Sequence, residues 1–315
     1  MKQREVMVYL MTGFLDSGKT QFLQFTLSQD YFQIRGTTLL ILCEEGEEEY
    51  DAERMKKHRV VIETVENPED LTEDWLCRMD EKYHPERVVV EYNGMWKVSE
   101  FEAMTLPAGW MIEQKLTTVD ASTFQIYLNN MKPLFVEMVR GSEMVLFNRC
   151  TDTKPLAGYR RSVKVVSPQA EVIFEDEEGE IEDIFADSVP FDLDAPVIEI
   201  RPEDYGIWYI DAMEHEERYD GKVVEFTARV LKPKSFPSKM FLPGRMAMTC
   251  CADDTSFLGY VCKSAYAPKL KAGQWVKVRA KVSYENLAMY RGRGAVLTAE
   301  YVEPAEEIKE LVYFN

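Results

Sequence analysis

The sequence predicts an α/β domain built on a mostly parallel sheet, followed by a small all-β barrel. Three observations carry the prediction. Apolar runs of strand length alternate with segments of helical spacing over residues 1–174, as expected of a parallel sheet covered on both faces. Gly13 and Gly18 bracket a loop between the first such run and the first helical segment. From Lys222 onward, five short β segments joined by turns take over.

The first run, with Val6, Val8 and Leu10, stops at Gly13, and Gly18-Lys19-Thr20 then opens a helical segment from Gln21 to Leu27. This is G-x-x-x-x-G-K-T, the P-loop pattern, in the strand-then-helix context it requires. The glycines let successive N–H groups turn inward to make a concave anion site, to which the helix N-terminus adds partial positive charge. Lys19 is expected to reach the β and γ phosphates and Thr20 to offer its hydroxyl to Mg²⁺. A Gly-rich turn without a ligand would not need Lys19 and Thr20. The candidate nucleotide-binding set therefore begins with Gly13, Asp16, Ser17, Gly18, Lys19 and Thr20.

The next run, Thr37 to Cys43 (TTLLILC), has the continuous apolar character of a strand buried on both faces. It leads into EEGEEEYDAE, where seven of the ten positions from Glu44 to Glu53 are acidic. A solvated acidic loop explains this charge run, and its place at a strand end also suits a switch or metal-facing role. Arg59 to Thr64 is a further strand, after which Asn67-Pro68-Glu69-Asp70 signals a helix carrying Leu71, Trp75 and Met79. Arg87 to Glu91 (RVVVE) places a carboxylate at a strand end, as a Walker B element requires for Mg²⁺. Lys115 to Asp120 and Met144 to Asn148 are expected strands, with a helix from Ser122 to Arg140 between them. Asn148-Arg149-Cys150-Thr151-Asp152 follows; Asn148 and Asp152 there could read a guanine base, and a plain polar loop would look the same.

The composition bounds the rest. At 315 residues the chain is long enough for two domains, and 46% hydrophobic with 29% charged residues is that of an ordinary soluble protein. No apolar run approaches the roughly 20 residues of a membrane span. The opening MKQREVMVYL has no signal-peptide layout, so a cytoplasmic location is expected. The six cysteines lack the dense spacing of a secreted disulfide framework. The net charge of −18 is carried wholly by the first 198 residues, because residues 199–315 hold 17 basic and 17 acidic side chains. Eight acidic residues and no basic one between Glu175 and Asp187 suggest a solvated linker or an exposed hairpin. The expected organisation is a nucleotide-binding domain over 1–174, an acidic linker over 175–198 and a barrel domain over 199–315, entered through a helix from Asp204 to Tyr219.

The five β segments are KVVEFTARV, MFLPGRMAMTCC, SFLGYVC, QWVKVRAKVSY and AVLTAEYV, and the phrase LKAGQWVKVRAKV looks like the start of an OB-fold strand. Between Arg218 and Arg293 there are 15 basic residues against 5 acidic ones, which suits either single-stranded nucleic acid or an acidic protein partner. Cys250-Cys251, with Cys262 nearby, invites a soft-metal reading. In a regular strand Cys250 and Cys251 would face opposite sides, leaving too few thiolates on either side for a closed zinc site. Buried structural cysteines are the competing reading.

With these pieces in place, residues 1–175 resemble the P-loop GTPases of metallocentre assembly (CobW/HypB/UreG), and within them the CobW-like metal chaperones. The matching phrases are GFLDSGKT, ILCEEGEEEYD, VVVEYNG, TTVDASTF, LFNRC and VVSPQAEVIF. The resemblance implies a GTP-hydrolysing switch, with GTP and Mg²⁺ held by Lys19 and Thr20, Glu91 in the Walker B position, and Glu44, Glu47 or Asp51 in the switch. Glu44 and Glu47 join Lys19 as catalytic candidates, and Thr20, Asp51 and Glu91 are the Mg²⁺ candidates. Asn148, Arg149 and Asp152 are the base-side candidates. Two departures stand out. The Cys-x-Cys-Cys motif expected before the Walker B strand is replaced by VVIETVENPEDL, leaving Cys43, Cys250 and Cys262 as candidate ligands for zinc or another transition metal. The base-reading Asn-Lys-x-Asp has Arg149 for Lys and one extra residue before Asp152. The C-terminal part, especially FPSKMFLPGRMAMTCCADD followed by LKAGQWVKV, resembles an uncharacterised bacterial domain associated with predicted permeases. That resemblance implies a membrane permease as a partner and no reaction, while the GTPase resemblance implies a client protein or metalloprotein.

Overall fold

The structure, a computed structural model, describes residues 4–181, 189–248, 255–290 and 292–312. The chain divides into two compact units, Met1–Ile184 and Phe185–Asn315, each with its own seven-stranded sheet.

The first unit runs β1 (Val6–Thr12), α1 (Lys19–Leu27), β2 (Thr38–Leu42), α2 (Ala52–Lys57), β3 (Val60–Thr64), α3 (Glu73–Tyr83), β4 (Arg87–Glu91), α4 (Val98–Glu102), β5 (Trp110–Asp120), α5 (Phe124–Val139), β6 (Met144–Asn148), α6 (Leu156–Lys164) and β7 (Glu171–Phe174). Every strand pairing in this sheet is parallel, in the order β3-β2-β4-β1-β5-β6-β7. Its central strands are β-branched and aliphatic: Val6, Val8 and Leu10 of β1 and Val88, Val89 and Val90 of β4 are all buried. Leu23 and Leu27 place α1 against this sheet, packed with Met11, Leu40 and Val89. Register then fixes the site, because Met11 of β1 and Leu42 of β2 both align with Glu91 of β4. The chain thus leaves β1, β2 and β4 at one edge, where open α/β sheets hold ligands.

Three local expectations shift. Asn67-Pro68 opens only a short 3₁₀ turn (Pro68–Asp70), while α3 begins later, where the Thr72 hydroxyl accepts the Trp75 N–H at 3.2 Å. Its buried face consists of Leu76 and Met79, with Trp75 only half-buried. The α5 helix bends at Met131, two residues before Pro133, whose ring and missing N–H disrupt the preceding turn. The acidic stretch begins as a hairpin: Glu175 bridges Glu180, and the Asp176 carboxylate accepts the Glu178 and Gly179 N–H groups.

The second unit contains β8 (Ile198–Glu199), α7 (Tyr205–Glu214), α8 (Glu216–Tyr219), β9 (Val223–Leu231), β10 (Met240–Met248), β11 (Thr255–Gly259), β12 (Val261–Lys263), β13 (Trp275–Leu287) and β14 (Gly292–Pro304). Strands β9-β10-β12-β14-β13 close on themselves, β13 returning to β9. The β12–β14 pair is parallel and the other four pairs of the ring are antiparallel, which is the arrangement of a five-stranded OB-like barrel. Alternation fills its interior: Val224, Phe226, Ala228 and Val230 of β9 meet Val276, Val278, Ala280 and Val282 of β13. The helix expected from Asp204 to Tyr219 divides at His215, and α7 buries Trp208 against Phe226 with ring centroids 4.8 Å apart. The SFLGYVC segment divides at Tyr260 into β11 and β12. Cys250 and Cys251 lie outside the described residues. Among the described residues no helix is long and apolar enough to cross a membrane.

On the barrel, buried Glu225 pairs with Lys277 at 2.6 Å and Arg279 at 2.7 Å and accepts the Tyr301 hydroxyl. Burial alone would raise its pKa, but Lys277, Tyr301 and Arg279 together hold it at about 2, against an ordinary 4.5. The folded state therefore binds fewer protons than the unfolded chain in this window, and the stability Glu225 contributes above pH 4.5 is lost as pH falls towards 2. Urea midpoints measured across this range should show the gap between the native protein and Glu225→Gln closing as the pH falls.

Candidate functional site

The loop from Gly13 to Thr20 joins β1 to α1, and its two glycines are required by close approach. At Gly13 (φ +146°) a Cβ would lie 2.5 Å from both Ser17 Oγ and the Thr118 carbonyl, and at Gly18 (φ +90°) 2.6 Å from Asn148 Nδ2. The same neighbours pin the loop. Ser17 Oγ hydrogen-bonds Thr118 Oγ1 at 2.9 Å, and Asn148 Nδ2 donates to the Ser17 carbonyl at 2.8 Å. Phe14 stacks on Tyr127 of α5, with centroids 4.2 Å apart and planes 11° from parallel.

Inside the loop, the Lys19 side chain is only 3% exposed. Its ammonium donates to the carbonyls of Gly13 (3.0 Å) and Phe14 (2.9 Å) and pairs with Glu44 Oε2 at 2.5 Å. The other Glu44 oxygen accepts the Gly94 N–H at 3.3 Å. Gly94 presses so closely on the loop that a Cβ there would meet the Gly13 carbonyl at 2.4 Å.

Beside this pair, Thr20 Oγ1 donates to Glu91 Oε1 at 2.7 Å, and the Tyr50 hydroxyl donates to the other Glu91 oxygen. Burial pushes the Glu91 pKa up, and the bonds from Tyr50 and Thr20 and the charge of Lys19 only partly oppose this. Burial, then the charge of Glu91, drives the Tyr50 phenol up as well. The segment between Glu44 and Tyr50 is thus tied to Lys19 and Gly94 at one end and to Glu91 at the other. Asp16 (φ +57°) adds a weaker tie, accepting the Glu47 N–H at 3.4 Å.

On the other flank, Arg149 Nη1 donates to the Asp16 carbonyl at 2.8 Å and to Asp120 Oδ2 at 2.7 Å. Burial would raise the Asp120 pKa, but Ser122 and Arg149 outweigh it and hold the carboxyl below its usual range. Asn148 Oδ1 is buried without a hydrogen-bond partner, an acceptor left open beside Gly18.

The candidates from the sequence therefore separate. Asp16, Gly18, Lys19, Thr20, Glu44, Glu47, Glu91 and Arg149 line one cavity. Gly13, Ser17 and Asn148 shape the loop beneath it. Asp51 instead caps α2, accepting the Arg54 N–H at 3.0 Å, and Asp152 turns back to accept the Lys154 N–H at 3.0 Å in an exposed loop. Cys43 is buried next to Glu91, its thiol pushed well up by burial and by the charges of Glu91 and Glu44. Cys262 is buried in β12, its thiol pushed up to about 12 by burial. Among the described residues no three His, Cys, Asp or Glu side chains converge on a metal-sized site. Sequence reasoning passed over Tyr50, Gly94 and Asp120. The Glu91-x-x-Gly94 spacing and the single aromatic in the acidic run were the available signals.

A glycine loop between a central parallel strand and a helix, with a lysine buried inside it, is the arrangement of a P-loop nucleotide-binding protein. Residues 7–174 match the family described as CobW/HypB/UreG, nucleotide-binding domain, and the chain belongs to that family. Residues 182–314 match the family described as DUF1980 C-terminal domain. No curated protein matches the chain. Among solved structures it is similar to hydrogenase maturation factor HypB from Archaeoglobus fulgidus, at 17% identity and TM-score 0.40, covering 55% of this chain and 82% of that one. It is also similar to the Zn(II)-bound YjiA GTPase from E. coli, at 15% identity and TM-score 0.43, covering 81% of this chain and 89% of that one. The family assignment rests on the sequence match.

The buried Glu91 carboxylate is costly to the fold. Its raised pKa means that the folded state holds a proton the unfolded chain releases, so its ionisation destabilises the fold as pH rises. Glu91→Gln should raise the urea midpoint of the nucleotide-free protein more at pH 8 than at pH 5.

Proposed function

We propose that this protein is a Mg²⁺-dependent GTP-binding and hydrolysing switch of the CobW-like metal-chaperone class, controlling metal insertion or a partner interaction. The observation that carries the reading is the buried Lys19 ammonium, set among glycine-loop carbonyls at the N-terminus of α1 with an anion against it. A buried charge so placed serves an anionic ligand better than it serves stability. The tight approaches at Gly13, Gly18 and Gly94 and the open Asn148 acceptor suit a nucleotide in the same place.

In this reading, Lys19 and the loop amides hold phosphate charge. Thr20 and Glu91 are oxygen donors of the kind Mg²⁺ takes, and bound there the ion would neutralise phosphate charge. Water attacks the γ phosphorus: a P–O bond forms, the bond to the β–γ bridging oxygen breaks, the diphosphate leaves with that oxygen, and the water's proton passes to a phosphate oxygen. Glu47, which lines the cavity, would orient the water. Asn148 and Arg149 flank the loop on the side where the base would lie, and the Arg149–Asp120 pair fixes that flank. Loss of the γ phosphate changes the order of the segment from Cys43 to Asp51, and a client protein reads the change. Without a Cys-x-Cys-Cys motif, soft-metal handling would fall to Cys43 or to the second unit.

Calorimetric titration of the purified chain with GTP and with ATP, each with Mg²⁺, tests the reading. Binding should favour GTP, and Lys19→Ala should weaken it by at least about 100-fold, since removing one member of a buried charged contact strands the other. Absence of heat with GTP and ATP and with their diphosphates alike would overturn it.

A further inference from the structure

Glu44 is bonded where an external anion belongs. Its two oxygens bridge Lys19 Nζ at 2.5 Å and the Gly94 amide at 3.3 Å. These donors reach one point from different parts of the sheet edge: Lys19 from the first turn of α1, Gly94 from the loop after β4. Gly94 can aim its N–H there because it has no side chain, the Gly13 carbonyl and Phe14 Cα lying 2.4 and 2.8 Å from where a Cβ would be. The remaining partners of the Lys19 ammonium are carbonyls of its own loop, so Glu44 supplies the negative charge in direct contact with it.

In a P-loop the backbone amides cradle the inner phosphates and the lysine reaches outward along the chain of phosphates. A carboxylate joining the lysine head to the amide of the facing loop has both the charge and the place of a terminal phosphate. The Glu44 side chain belongs to the acidic segment, while Asn148, Thr118 and Tyr127 hold the glycine loop independently of it. It can therefore withdraw without the cradle changing shape.

We infer that Glu44 is an internal stand-in for the γ phosphate and sets the preference between nucleoside diphosphate and triphosphate. The inference rests on the nucleotide reading above. A diphosphate is accommodated with Glu44 in place; a triphosphate must expel it, because two anions cannot share Lys19 and the Gly94 amide. The cost falls on the triphosphate alone. Lys19 meanwhile keeps an anionic partner in every state and is never stranded as a buried unpaired charge.

The test is calorimetric titration of the full chain with GDP and with the slowly hydrolysed GTPγS in Mg²⁺, for the native protein, Glu44→Gln and Glu44→Ala. The ADP and ATPγS pair is run in parallel. Both variants should bind the triphosphate at least about tenfold more tightly, with diphosphate affinity nearly unchanged, since only the like-charge competition is removed. Glu44→Gln keeps the side-chain volume, so the ratio remains readable if the alanine variant folds poorly. Equal shifts for both nucleotides, or weaker triphosphate binding, would overturn the inference while leaving the nucleotide reading intact. Failure of the native protein and both variants to bind any of the four overturns that reading and the inference with it. A native protein that binds only diphosphate, beside variants that gain triphosphate, supports both.

Discussion

A lysine ammonium excluded from water must be paired, and in this protein meeting that requirement organises the sheet edge. The charge is enclosed because α1 starts immediately after Gly18 and packs Leu23 and Leu27 against the sheet, which holds the first turn of the helix against β1. Two loop carbonyls solvate the ammonium, and neither carries a full charge. The carboxylate that does comes from the end of β2, and it reaches Lys19 because β1, β2 and β4 end in register. Exchanging the ion pair for apolar residues would suit a structural core better, since burying both charges offsets much of their attraction. Keeping the pair makes sense where an anion is to be exchanged.

Glu91 presents the same logic with opposite sign. Its carboxylate is held inside by a hydroxyl from α1 and a phenol from the acidic segment, with the charge of Lys19 acting on it from nearby. The site therefore holds an excess of buried acceptor oxygen on one side and a buried ammonium on the other. This polarity suits a ligand with phosphates at one end of its reach and a divalent ion beside them. The second unit shows the contrasting use of charge: Glu225 is surrounded by Lys277 and Arg279 on the barrel wall, and both its oxygens are taken up by those partners. The closed ring of β strands leaves that unit without a free edge through its five barrel strands, whatever it binds.

Much of this was legible in the residues. Uninterrupted apolar runs such as TTLLILC and RVVVE gave the parallel sheet, and the glycine spacing of the loop after β1 gave the tight turn that encloses Lys19. The barrel followed from short β segments at regular spacing. Helix boundaries were less visible. Asn67-Pro68 has the local chemistry of a helix start, yet Thr72 provides the cap, since packing of Leu76 and Met79 decides where α3 begins. Asp51 is a carboxylate near the site by sequence, but it is also an N-cap by position, and the helix takes it. Contacts between strand ends were least visible: Tyr50 with Glu91, and Glu44 with Gly94, depend on register between β2 and β4 that no local pattern encodes.

The stack of Phe14 on Tyr127 has a consequence for how association is driven. With an aromatic face, a hydroxyl pair and a carboxamide holding it, the glycine loop has little conformational freedom left to lose. Any ligand of this loop would find it already ordered, so the ordering entropy of association would be drawn from the acidic segment and not from the loop.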